Sequence, residues 1–286
     1  MRIAMTGSTG FVGSHLILSF KKRGWEVLPL GRGDLDNTEK LVSALRSADV
    51  VSNLSGAPIQ ARWSEDYKKV LYTSRVGTTK KLIDAMRILD KRPGVMVSTS
   101  AIGVYKSGGM THTEHEHRLS DTFIGILARD WEAEALKARE LGLRTIITRF
   151  GIVVGPGGGI IANMVNVFKY GIGGTIGNGS QAFSWIHIED LARAYIQCIE
   201  DDRFEGVYNL VSPQPGTNRE LTRSLAHALK KPAPFKIPFL ALKLRFGEGA
   251  GALIEGQRVL PQRLLEQGFV FEHGSLEEAV QSSVTY

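Results

Sequence analysis

The sequence predicts an α/β fold: a doubly wound, mostly parallel sheet with helices on both faces and a smaller C-terminal lobe laid over its mouth. Three observations carry this. Short apolar runs alternate with helix-length runs from Arg2 to Arg149, the pattern of βαβ units. A glycine loop, Gly7-Ser8-Thr9-Gly10-Phe11-Val12-Gly13, joins the first strand directly to the first helix. Past Gly151 the texture changes to glycine-rich and proline-rich turns with short helices.

The elements follow in order. Arg2–Thr6 is an apolar strand, and Phe11–Arg23 is a helix that Gly24 is placed to end. Glu26–Leu30 is a second strand and Asn37–Ser47 a short helix. Asp49–Leu54 is a third strand, and a long helix runs from a Ser64 cap to about Leu89. Val95–Ser98 is the fourth strand, Phe123–Leu141 a helix and Arg144–Arg149 the fifth strand. Beyond them, Ile161–Tyr170 reads as helix, Ser184–His187 as extended and Ile188–Glu200 as helix. Val207–Leu210 is a strand, Thr217 caps a helix to about Lys230, and Phe269–Phe271 is a last strand. The expected division is a dinucleotide-binding Rossmann domain at 1–156 and a smaller lobe at 157–286, with some segments returning to the main sheet. The strand order expected is that of two mononucleotide-binding halves.

Composition narrows the function. With 286 residues, 43% hydrophobic and 22% charged, the chain is an ordinary globular one. No apolar run approaches the ~20 residues of a bilayer span, so no membrane partner is expected. Residues 1–6 go straight into a strand, which leaves no signal peptide. The single cysteine, Cys198, excludes an internal disulfide and suits a reducing compartment, so a cytoplasmic location is expected. The net charge of +6 comes from scattered pairs such as Lys21-Lys22 and Lys230-Lys231, without a basic stripe interleaved with aromatics, so no nucleic-acid partner is expected.

In such sheets ligands bind at the carboxyl ends of the strands. A strand feeding a glycine loop that opens a helix holds a pyrophosphate: Gly7 permits the tight turn, Gly10 the backbone's approach and Gly13 close packing of helix on strand. The cofactor candidates are therefore Gly7, Thr9, Gly10, Phe11, Val12 and Gly13, with Gly31, Arg32, Leu54, Ser55, Gly56, Ser98 and Ile152 at the other strand ends. An acidic residue about 20 positions past the loop normally holds the adenosine ribose. Here that place is Gly31-Arg32, and a guanidinium fork suits a 2′-phosphate, so NADP is expected over NAD. Asp34 stands near enough to compete.

These motifs resemble the extended short-chain dehydrogenases/reductases, which include nucleotide-sugar epimerases and dehydratases. Thr6-Gly7-x-x-Gly10-x-x-Gly13 looks like their cofactor fingerprint, Ser98-Thr99-Ser100 like their catalytic-serine strand, and Ile186–Leu191 like a late strand-to-helix junction. Asn53-Leu54-Ser55-Gly56, Ser74-Arg75, Trp131-Glu132, the Gly171–His187 stretch and Gly256–Pro261 are similar to one atypical branch, the epimerase-like family with a distinctive C-terminal segment. The resemblance implies Arg75 as a second phosphate ligand.

The chain departs from that family at its catalytic pair. The superfamily's Tyr-x-x-x-Lys occurs nowhere; Ile124 and Ala128, or Ile126 and Asp130, fall at its place. The remaining catalytic candidates are Ser100 and, five residues on, Tyr105, which reads either as a phenol donor near a nicotinamide or as a packing aromatic. His187 reads either as a base or, from its place at a strand-helix junction, as a structural group between lobes. His112, Glu114, His115, Glu116 and His117 mimic a metal cluster but suit a polar loop, and no metal is expected. Phe168, Tyr170, Phe183 and Trp185, between glycine-rich turns that could let the lobe close, read either as the lobe's own core or as the wall of a site for an apolar or aromatic carbonyl substrate. Two functions follow: an NADP(H)-dependent epimerase-like oxidoreductase of unknown substrate, or a dinucleotide-binding regulatory protein without turnover.

Overall fold

A computed structural model of the chain describes residues 1–115 and 118–284. Six parallel strands form the central sheet: β1 (Arg2–Thr6), β2 (Glu26–Leu30), β3 (Val50–Asn53), β4 (Val95–Ala101), β5 (Arg144–Phe150) and β6 (Gly206–Leu210). Their spatial order is β2-β1-β3-β4-β5-β6. This corrects the expected order of two equal halves. Between Gly31 and Asp49 the chain makes two helices, α2 (Arg32–Leu35) and α3 (Thr38–Arg46), and no strand, so only two strands precede the crossover. The reversal, where such sheets bind ligands, falls between β1 and β3.

Alternation along the strands divides the core. Ile3 and Met5 face α1 (Phe11–Lys22) and α8 (Ile188–Glu200), and Leu16, Phe20, Leu191 and Tyr195 close over them. Ala4, Val51, Met96 and Ile147 face the opposite way, onto Leu41 and Leu45 of α3 and onto Leu82 and Met86. The helix expected from Ser64 to Leu89 is in three parts: α4 (Glu65–Tyr72), a π-turn at Thr73–Gly77 and α5 (Thr78–Arg87). Ser64 caps it through a hydrogen bond from the Tyr67 N–H. The π-turn contains Ser74 and Arg75, and such turns recur where a helix re-aims a functional side chain. α6 (Phe123–Leu136) packs on β4 and β5.

The second half returns to the first through α8 and β6. It also builds its own core from Val154, Phe168, Phe183, Trp185, Leu225 and Val280. Those residues come from α7 (Gly159–Phe168), α9 (Asn218–Leu229), the C-terminal helix Leu276–Val284, a two-stranded pair, Ile152–Val154 with Trp185–His187, and, for Phe183, the short strand Ala182–Phe183 paired with Gly216–Thr217. Phe269–Phe271 is not a strand. Phe269 is a buried core residue and its ring meets Phe271 edge-on, so the apolar run packs onto the core by side chains without pairing its backbone.

Candidate functional site

The glycine loop is fixed by contacts that only glycine allows. Gly7 has φ +69°, and a Cβ there would sit 2.7 Å from the Leu54 carbonyl oxygen. A Cβ on Gly13 would come within 2.2 Å of the Gly7 carbonyl oxygen, so α1 presses directly on the loop. Gly10 is the N-cap without a side-chain bond, and the N–H groups of Phe11, Val12 and Gly13 lack intrahelical acceptors. This is a ready anion site. Thr9 and Gly10 are exposed at its rim.

A buried polar clamp ties that loop to β3. The Thr6 hydroxyl donates to Asn53 Oδ1 (2.9 Å) and accepts from the Leu54 and Ser55 N–H groups. Asn53 Nδ2 donates to Thr79 Oγ1 and to Ser98 Oγ, and the Trp131 indole donates to the same Thr79 oxygen. Leu54-Ser55-Gly56 is thereby held beside Gly7. Ser98 is fully buried within this clamp and so holds the site from beneath.

Arg75 lies against Gly56, where a Cβ would be 2.9 Å from its guanidinium carbon. It donates to the Ala57 and Leu71 carbonyls and stacks over Trp131. Burial pulls its pKa down to about 10, the mark of a charge desolvated without a carboxylate beside it. Arg32, at the start of α2 by the end of β2, is exposed. Asp34 turns back, one oxygen accepting the Gly31 N–H at 2.8 Å.

The catalytic candidates sit in a second buried network. Ser100 Oγ donates to Glu132 Oε1 at 2.6 Å. Arg149 holds both oxygens of Glu132 and donates a third bond to the Tyr105 hydroxyl (2.8 Å), which donates to Asn209 Oδ1. Tyr105 is 0% exposed, stacked on His112, and its burial pushes the phenol pKa up. It is therefore a packing aromatic with a satisfied hydroxyl, which removes it as a proton donor. Sequence reasoning missed Glu132 as the partner of Ser100 and Arg149 as the partner of Glu132, although Trp131-Glu132 stands out as a motif.

A cavity of about 810 Å³ opens between the two halves. Ala101, Phe150, Gly151 and Ile152, at the carboxyl ends of β4 and β5, form its inner wall, and Trp63, Phe123, Met164 and Phe168 are among its sides. Most of the lining is apolar. Ile124, one of the two positions expected for the phenol, lines it too. Of the four aromatics expected there, Phe168 and Phe183 do line it. Trp185 is buried in the lobe's core with its indole on the Gln214 carbonyl, and Tyr170 is exposed. The glycine-rich turns are packing devices rather than hinges: a Cβ on Gly158 or Gly159 would strike the Phe11 ring, and one on Gly173 the Phe168 ring.

The histidine-rich loop diverges. His112 Nε2 meets the Lys106 carbonyl, Glu114 accepts the Asn209 N–H and His115 faces Glu266. Glu116 and His117 lie outside the described residues. His187, Glu189 and His273 bring donor atoms within 4.8 Å of one another, but His187 Nδ1 accepts the Glu189 N–H and its Nε2 meets Ser282. His187 thus caps α8 and bridges to the C-terminal helix. Cys198 is buried, and burial pushes its thiol up to about 12, which leaves it inert at neutral pH.

Residues 3–210 match the model of the NAD dependent epimerase/dehydratase family, and residues 237–283 match a domain of unknown function, DUF1731. An epimerase family protein of Staphylococcus aureus (strain MRSA252) is 33% identical, with 98% of each chain covered. The crystal structure of the human epimerase family protein SDR39U1 with NADPH is similar at a TM-score of 0.89, with 31% identity and 98% of each chain covered. The UDP-glucose 4-epimerase of Thermus thermophilus with NAD shares the fold, at a TM-score of 0.79 and 21% identity over 99% of this chain and 98% of that one.

Proposed function

The chain belongs to the NAD dependent epimerase/dehydratase family, and from that premise we propose that it is an NADP(H)-dependent oxidoreductase acting on an apolar carbonyl compound. The observation that carries the reading is the shared edge: the glycine loop follows β1 and the apolar cavity opens by β4 and β5, all at the carboxyl edge of one parallel sheet. The 31% identical human relative was crystallised with NADPH, which supports the phosphorylated cofactor. Arg32, with Asp34 turned to Gly31, supports it independently.

Each residue then has a task. The free N–H groups of Phe11, Val12 and Gly13 receive the pyrophosphate, and Leu54-Ser55-Gly56, held by Thr6 and Asn53, flank it. Arg75 offers a desolvated charge to the cofactor's phosphates. When bound, the cofactor would supply hydride to a carbonyl carbon, and the carbonyl oxygen would take its proton from water at the cavity mouth, since the Ser100 and Tyr105 hydroxyls already donate to Glu132 and Asn209. Ile152, Phe168 and Trp63 exclude water around that carbon. A UDP-sugar would require cations for its diphosphate, and the only cation lining the cavity among the described residues is Arg245 at an exposed position.

A second reading, cofactor binding without turnover, has one observation in its favour. No phenol and lysine stand at the family's place, whether that is Ile124 and Ala128 or Ile126 and Asp130, and the one Ser100 proton is committed to Glu132. While that bond stands, Ser100 accepts a hydrogen bond and cannot donate one. NADPH oxidation against a panel of bulky apolar aldehydes and ketones separates the readings. Consumption that depends on Ser100 supports the oxidoreductase. Tight NADPH binding with no consumption across the panel moves the assignment to the binding protein.

A further inference from the structure

Beside the cavity mouth the surface is apolar and basic at once. The helix α10 (Phe239–Phe246) buries no residue fully. Leu242 and Phe246 turn to the cavity lining, while Leu240 and Leu244, one turn apart, stand 67% and 70% exposed. The patch continues beyond the helix. Phe235–Ile237 pairs in parallel with Gly174–Ile176, which brings exposed Phe235 close to the turn carrying Tyr170 (82% exposed) and Ile172 (56%). The Phe239 ring lies over Gly177, where a Cβ would come within 2.5 Å of it.

The charge of this region has one sign. Residues 230–246 contain Lys230, Lys231, Lys236, Lys243 and Arg245 and no Asp or Glu, and residues 167–176 add Lys169 and no acid. Of the neighbouring carboxylates, Glu248 has a cation beside it, while Glu220 and Glu255 are held by neutral donors and keep their charge. Glu248 pairs with Lys68, Glu220 caps α9 at Thr217, and Glu255 accepts from Ser107. From α9, Arg219 reaches the Asn178 carbonyl next to Gly177 and adds one more cation.

Contiguous exposed apolar surface marks an interaction site, and the cations decide its partner. A second copy meeting this face through a two-fold contact would set like charges against each other. An anionic bilayer offers complementary charge together with an apolar layer for Leu240, Leu244 and Tyr170. We propose that this face docks peripherally on an anionic lipid surface, from which a lipophilic ligand enters the cavity. No helix among the described residues is long and apolar enough to cross a membrane, and a peripheral face needs none. The expectation of no membrane partner rested on the missing span alone. The ligand's route rests on the lipophilic reading of the cavity; the docking does not.

The test uses the full chain without cofactor, sedimented with vesicles of phosphatidylcholine alone or mixed with phosphatidylglycerol. Binding is expected to the mixed vesicles and to fall with salt. Each surface cation is worth roughly fivefold, so Lys236→Ala with Lys243→Ala weakens partitioning at least about tenfold. Leu240→Ser with Leu244→Ser weakens it as well, while NADPH affinity and the urea midpoint of both double variants stay as in the parent. No binding to the mixed vesicles overturns the proposal, and so does equal binding to phosphatidylcholine alone. Self-association that Leu240→Ser with Leu244→Ser abolishes overturns it too, assigning the face to a second copy.

Discussion

Arg149 grips Glu132 at two points, 2.8 Å from Nε to Oε1 and 2.7 Å from Nη2 to Oε2, with both side chains about nine-tenths buried. The pair ties β5 to α6 and leaves Oε1 to receive Ser100. Breaking one side strands a desolvated charge. Glu132→Ala is expected to cost about 3–5 kcal/mol in urea unfolding, while Glu132→Leu with Arg149→Met costs much less. Equal losses in the single and double variants would show that the two groups do not act as a unit.

Gly13 is the tightest point of the glycine loop. Gly13→Ala places a methyl group 2.2 Å from the Gly7 carbonyl oxygen, so the loop must move away from α1. NADPH affinity is expected to fall by at least about a hundredfold, as the N–H groups that face the pyrophosphate lose their alignment. Fluorescence titration checks this, and an unchanged affinity contradicts the loop's assignment.

Arg75 gives a prediction of opposite signs. It is a buried cation with carbonyl partners, and burial holds its pKa at about 10. Arg75→Met relieves that desolvation, so the cofactor-free protein keeps or gains stability. The same change weakens NADPH binding at least about tenfold, because a phosphate partner is lost. Lower stability together with unchanged affinity would make Arg75 a purely structural residue.

His187 makes stability depend on acidity. Burial, then the neighbouring His273, lowers its pKa from 6.5 to about 4. A folded-state value below the unfolded one means the unfolded chain binds the extra proton. The contribution is complete above about pH 6.5 and is lost as pH falls toward 4, a change of roughly 2–3 kcal/mol. His187→Asn, which can still cap α8, should flatten that part of the profile relative to the parent. Identical slopes between pH 7 and 4.5 would refute the assignment.

Much of this was legible in the sequence, for definite reasons. Gly7, Gly10 and Gly13 are punctuation whose meaning depends only on the adjoining strand and helix, and the structure places them so. Ser64 and Thr217 were readable as caps because capping is local. The Glu132–Arg149 pair was not, since it spans two elements and nothing in the local pattern of either announces a buried partner. The two readings of Tyr105 could not be separated for the same reason: its distance from Ser100 in sequence says nothing of the Arg149 and Asn209 groups that enclose its hydroxyl. The strand order failed at residues 31–49, where two helices replace the strand that equal halves require. Gly158 and Gly159 looked like a hinge because the Phe11 ring that fills their space lies nearly 150 residues away in sequence.

The central claim is that this site takes the phosphorylated cofactor. Titrating the parent and Arg32→Ala with NADPH and with NADH tests it most directly. The account predicts that the parent binds NADPH at least about tenfold more tightly than NADH, and that Arg32→Ala removes most of that gap while leaving NADH affinity within about twofold. Equal affinities for NADPH and NADH in the parent would contradict it.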